Sequence, residues 1–145
     1  MKRATMAVSM LSSILLASCA GDTQRGEPEA PLGQGVVVEG GEYRDITVPE
    51  LQAMLANKDF PLVNVHIPFE GDLPATDASI PFNEIESHLD KLPADKHARI
   101  VLYCRTGRMS AEAAAALVKH GYTDVYNLTG GFRAWSEAGL PLAGG

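Results

Sequence analysis

The segment from Arg99 to His120 constrains this chain most. Arg99-Ile100-Val101-Leu102-Tyr103 is an apolar run with strand character, and Ala111 to His120 is an alanine-rich helix. Cys104-Arg105-Thr106-Gly107-Arg108-Met109-Ser110 joins them. A thiol therefore stands at the C-terminal end of a buried strand, just ahead of a helix N-terminus. Open α/β sheets place their ligand sites at such ends. Helix N-termini carry unpaired N–H groups and partial positive charge, which stabilise an anion in front of them. A thiolate is such an anion, so the pKa of Cys104 is expected to fall. Arg105 and Arg108 add two positive charges, and Gly107 lets the loop bend so that amides approach the sulfur. These residue types in this order point to a cysteine nucleophile acting on a small anionic group.

The rest of the chain supplies the surrounding layers. Tyr43 to Ile46 reads as a short edge strand. Thr47-Val48-Pro49-Glu50 has the form of a capping box opening a helix through Leu51, Met54 and Leu55 to about Asn57. Pro61 to Val65 reads as a buried strand, and His66 to Ser79 as loop. Ile80-Pro81-Phe82 returns to the sheet surface, and Ile85, His88, Leu89 and Leu92 have helical spacing. Gly121 closes the alanine-rich helix. Asp124 to Leu128 is a further strand, and Gly130-Gly131 opens a last helix carrying Phe132 and Trp135 as core residues. Strands alternating with helices predict an α/β fold, a parallel central sheet with helices on both faces.

The amino terminus has a different character. Met1-Lys2-Arg3 is basic, Ala4 to Leu16 is mostly apolar, and Leu16-Ala17-Ser18-Cys19 follows. The run is too short and too hydroxylated to span a bilayer and fits a signal peptide. Its end resembles a bacterial lipobox, which implies cleavage before Cys19, lipidation of Cys19, and anchoring in the cell envelope on its periplasmic face. No aspartate follows Cys19, so the outer membrane is favoured for a Gram-negative source; an ordinary secretory signal is the alternative. Ala20 to Gly35 is rich in Gly, Pro, Glu and Gln and reads as a flexible tether spanning at most about 50 Å. The expected organisation is 1–18 signal peptide, 19–35 lipidated cysteine and tether, and 36–145 one folded domain.

Removing residues 1–18 leaves ten basic against eighteen acidic residues, a net charge of −8. Such a balance argues against nucleic acid as a partner. With Cys19 lipidated, Cys104 is the sole remaining thiol and no internal disulfide is possible. A single thiol in an oxidising compartment is a liability unless it works or is buried. Its strand-end position beside two arginines favours an exposed, working thiol over a buried core cysteine.

The chain from about Tyr43 to Leu142 resembles a rhodanese-like sulfurtransferase domain. Two blocks carry the resemblance: Val101-Leu102-Tyr103-Cys104-Arg105-Thr106-Gly107-Arg108-Met109-Ser110-Ala111, and Val125 to Trp135 followed by Gly139-Leu140-Pro141. The resemblance implies that Cys104 takes the outer sulfur of thiosulfate or a related donor as a persulfide, then passes it to cyanide or a thiol. Thiolate and persulfide both need converging donors and no nearby carboxylate. Residues 105 to 109 contain no acid. Residues 105–110 are the expected substrate-binding loop: Arg105 or Arg108 for the sulfonate end of the donor, Thr106 or Ser110 as hydroxyl donors. Many members have Asp-Val-Arg where this chain has Asn64-Val65-His66, and a second loop arginine at the position of Met109. His66 is accordingly either a pocket residue or a structural replacement for that arginine.

Other chemistries fit less well. His88, His97 and His120 lack metal-ligand spacing, and no cofactor or metal site is expected. Glu70, Asp72 and Asp77 read as a solvated acidic loop. No Lys-Ser/Thr follows Gly130-Gly131, so a P-loop is excluded. A cysteine phosphatase or arsenate reductase needs an arginine six residues after the cysteine, where this chain has Ser110. A tethered, non-enzymatic sulfur-carrier or binding module stands as the other alternative.

Overall fold

The computed structural model describes residues 31–143. The predicted signal peptide, Cys19 and most of the predicted tether lie outside the described residues. Six strands form one sheet in the order β1-β2-β6-β5-β3-β4. They are β1 (Gln34–Val38), β2 (Gly41–Ile46), β3 (Leu62–Asn64), β4 (Ala78–Ser79), β5 (Ile100–Tyr103) and β6 (Val125–Leu128). Helix α1 is Val48–Leu55, α2 is Arg108–Lys119 and α3 is Gly131–Glu137. Every pairing is parallel except β1 with β2.

The expected parallel sheet between helical layers is present, with local corrections. Tyr43 to Ile46 is not an edge. It belongs to β2, which pairs with β6 on one side and with β1 on the other. Gln34 and Gly35, which the composition assigns to the tether, pair with Asp45 and Arg44. Polar and glycine residues conceal a strand whose outer face meets solvent. The apolar spacing at Ile85 to Leu92 does not make an α-helix; Phe82–Lys91 is a 3-10 segment broken at His88.

Alternation along the central strands divides the core in two, because successive side chains point to opposite faces. Ile100, Leu102 and Cys104 join Val63, Val65, Ile85, Leu117 and Val118 beneath α2 and the 3-10 segment. Val101 and Tyr103 join Leu51, Met54, Leu62, Leu128, Phe132 and Trp135 beneath α1 and α3. The capping box forms as expected. The Glu50 amide donates to Thr47 Oγ1, and the Thr47 amide donates to Glu50 Oε2 at 2.7 Å. Glu50 Oε1 also accepts from the Gly33 amide at 3.1 Å, tying the entry of β1 to α1.

Candidate active site

The three parallel strands β3, β5 and β6 end side by side, and Cys104 follows β5 directly. Its side chain continues the β5 alternation onto the α2 face. The predicted exposed thiol is a correction: Cys104 is 1% exposed. The loop folds back over it because Gly107, at φ +99, reverses the chain tightly enough to start α2 at Arg108, three residues earlier than the alanine run indicates. That early start decides the site. The Gly107 amide donates to Cys104 Sγ at 3.0 Å, and Ser110 Oγ lies 3.4 Å from the same sulfur and 3.2 Å from the Gly107 carbonyl. Burial pushes the Cys104 thiol up, but the Ser110 hydroxyl and the amides of Ser110, Thr106 and Gly107 outweigh it, and the pKa lies below the ordinary thiol value.

The other loop residues separate into distinct roles. Thr106 is exposed, and it is Ser110 whose hydroxyl reaches the sulfur. Arg108 pairs outward along its own helix with Glu112 at 2.7 Å. Met109 packs against the hydrophobic core beneath α2. Arg105 lies at the rim, 55% exposed, 3.5 Å from Glu70 Oε1. The absence of acid from residues 105 to 109 therefore does not keep carboxylates away, since the loop after β3 delivers Glu70. The other oxygen of Glu70 contacts His66 Nε2. His66 is 9% exposed, stands edge-on to Phe132 with ring centroids 5.4 Å apart, and its Nδ1 has no partner. His66 thus sits at the rim near Arg105, bound to Glu70.

The acidic loop is not simply solvated. Asn64 is fully buried; its Nδ2 donates to the Gly71 carbonyl at 3.0 Å and to Asp72 Oδ1 at 2.9 Å, and its Oδ1 accepts from the His66 amide at 3.0 Å. Tyr103 Oη donates to Asp72 Oδ1 at 3.1 Å and accepts from the Leu73 amide at 3.0 Å. Burial, with Asp72 close by, drives the Tyr103 phenol far above its ordinary value, so it stays a neutral donor. Asp77 pairs with Lys58 and accepts from the Leu62 amide. The loop is thereby fastened to the ends of β3 and β5, which holds Glu70 in place.

Gly131, which the sequence assigns only to the turn into the last helix, has a second role. It has φ +54, and a Cβ there would stand 2.1 Å from the Cys104 carbonyl oxygen. The amides of Phe132 and Arg133 donate to the carbonyls of Cys104 and Arg105 at 2.9 and 3.0 Å. The first turn of α3 thus clamps the backbone of the cysteine loop, and Gly130-Gly131 serves this close approach as well as the turn. His88, His97 and His120 make separate surface contacts with Glu84, Thr123 and Glu86. Among the described residues, no group of His, Cys, Asp and Glu converges as a metal site.

The fold and the loop define a class: an α/β protein whose cysteine sulfur is held by amides and a hydroxyl at the carboxyl ends of a parallel sheet. Residues 47–138 match the rhodanese-like domain model, and the chain belongs to that family. A sulfurtransferase from Allochromatium vinosum is 37% identical over 94 residues, covering 63% of this chain and 85% of that protein. Thiosulfate sulfurtransferase GlpE from Pseudomonas fluorescens is 50% identical over 42 residues, covering 29% of this chain and 38% of its own length. The human single-domain sulfurtransferase TSTD1 superposes with a TM-score of 0.57 at 28% identity, covering 64% of this chain and 95% of that one.

Proposed function

We propose that this protein is a sulfurtransferase that carries sulfane sulfur on Cys104. The observation that carries the reading is the donation of the Gly107 amide and the Ser110 hydroxyl to Cys104 Sγ. In the first step the Cys104 thiolate attacks the outer sulfur of thiosulfate, or of a related donor. An S–S bond to Cys104 forms, the donor's S–S bond breaks, and sulfite leaves with the bonding pair. The product persulfide is an anion that the same donors suit. In the second step an acceptor such as cyanide or a thiolate attacks the outer sulfur, and Cys104 leaves again as thiolate. No proton needs to move in either step, so the site needs anion stabilisation and no general base.

A Cys104-centred sulfur-carrier module is the second reading. The near-complete burial of Cys104 and the engagement of Arg105 by Glu70 favour it. Intact mass after incubation with thiosulfate and desalting separates the two. A gain of one sulfur atom, removed by cyanide with thiocyanate release and absent in Cys104→Ser, is expected. No gain from thiosulfate, with Cys104 reduced, refutes thiosulfate sulfurtransfer and leaves the carrier. The lipobox-like Leu16 to Cys19 also supports export and anchoring through Cys19. Fatty-acid analogue labelling that persists in Cys19→Ser would refute the anchor.

A further inference from the structure

We infer that Glu70 sets the charge selectivity of the sulfur-donor site, by neutralising Arg105 and disfavouring doubly charged donors. The inference rests on the sulfurtransferase reading and names a property of that same site. Arg105 and Arg108 are the two cations of the cysteine loop, and both are already paired: Arg108 with Glu112 and Arg105 with Glu70. Glu70 has a second neighbour in His66, which decides how much of its charge Arg105 must balance. His66 Nδ1 is buried without a partner. A proton there would be a buried donor with no acceptor, which is costly. The neutral tautomer with its proton on Nε2 donates to Glu70 and leaves at Nδ1 only an unshared acceptor, so the carboxylate's charge is left to Arg105. An anion arriving at Arg105 then meets Glu70 as well. The repulsion acts on each charge of the donor, so a dianion suffers about twice the penalty of a monoanion of the same shape.

The loop anchors make this contact a lasting feature of the site. Asn64, Asp72 and Tyr103 fasten the chain immediately after Glu70, so the carboxylate cannot withdraw with its loop without breaking partly buried hydrogen bonds. Glu70 is a positioning residue in this account: it acts on a donor only where Arg105 draws that donor beside it, and it leaves the sulfur's own donors untouched.

Thiosulfate and the methanethiosulfonate anion make a matched pair of probes. Each delivers its outer sulfur to a thiolate and releases sulfite or methanesulfinate, and they differ by one unit of charge. Glu70→Gln keeps the shape and removes the charge. It is expected to raise kcat/KM for thiosulfate about fivefold, the scale of an exposed ion pair, and to raise that for methanethiosulfonate less. The thiosulfate gain should shrink as ionic strength rises and should vanish in Glu70→Gln/Arg105→Ala, whereas a change in packing alone would move both donors together. Equal effects on the two donors, no gain or a loss with thiosulfate, or a gain that survives removal of Arg105 overturns the inference. If neither donor adds sulfur to Cys104 in the wild-type protein, the sulfurtransferase reading fails and this one with it. Sulfur uptake with unaltered donor preference in Glu70→Gln defeats this one alone.

Discussion

Replacing Ser110 with alanine removes the hydroxyl donor to Cys104 while leaving the Gly107 amide in place. The hydroxyl has one proton and two acceptors, Cys104 Sγ at 3.4 Å and the Gly107 carbonyl at 3.2 Å. A hydrogen bond to a charged group contributes about 1.5–3 kcal/mol. Sharing and the long contact to sulfur place this one near the lower end, so the thiol pKa should rise by about one unit. Thiolate absorbance in the ultraviolet, titrated against Cys104→Ser as blank, reads this without requiring a reagent to reach the buried sulfur. The same change alters stability with pH. The folded thiol ionises below its ordinary value, so the thiolate's contribution is absent below the folded pKa, grows as pH rises through it, and is fully present above the unfolded value. Urea unfolding across the interval between the folded and unfolded values should show a smaller rise for Ser110→Ala than for the wild type. An unchanged titration midpoint in a folded Ser110→Ala protein would refute the role given to the hydroxyl and leave the amides alone responsible.

Gly131→Ala combines a left-handed backbone with a Cβ only 2.1 Å from the Cys104 carbonyl oxygen. Left-handed strain of about 1–2 kcal/mol and the displaced loop contacts together make about 3 kcal/mol, or a Tm lower by about 10–20 °C with sulfur uptake impaired; calorimetry showing less than a few degrees would contradict the clamp. Asn64→Ala leaves the Gly71 carbonyl and the His66 amide without the Asn64 side chain as partner and takes one of two donors from Asp72 Oδ1, and should cost about 3 kcal/mol in urea unfolding. Arg108→Ala removes an exposed pair along one helix, so stability should change by less than about 0.5 kcal/mol and the Cys104 titration midpoint should stay in place; a shifted midpoint would show that Arg108 acts on the sulfur after all.

What the sequence determined by itself was whatever short-range chemistry controls. The strand–cysteine–helix unit, the Thr47–Glu50 capping box and the apolar stripes of α1 and α2 depend on residues within a turn or two of one another, and all three are present. The elements misjudged locally were those whose pattern is not their own: β1 lies at an edge, where its exposed Gln34 and Gly35 read as tether, and Phe82–Lys91 shares the apolar spacing of an α-helix without its hydrogen bonding. Burial and partnership belonged to the tertiary structure. Arg105 and Glu70 are 35 residues apart, and no spacing rule joins them; the pairing of β3 beside β5 does. The same packing sets α3 against the cysteine loop, which turns Gly131 from a turn residue into a clamp. It also covers Cys104, so that its pKa is set by the balance of burial against amide and hydroxyl donors, whereas its sequence neighbours suggested an exposed thiol between two free arginines. A local pattern states which groups are available. Only the fold, by bringing strand ends and loops together, decides which of those groups meet and which lose contact with water.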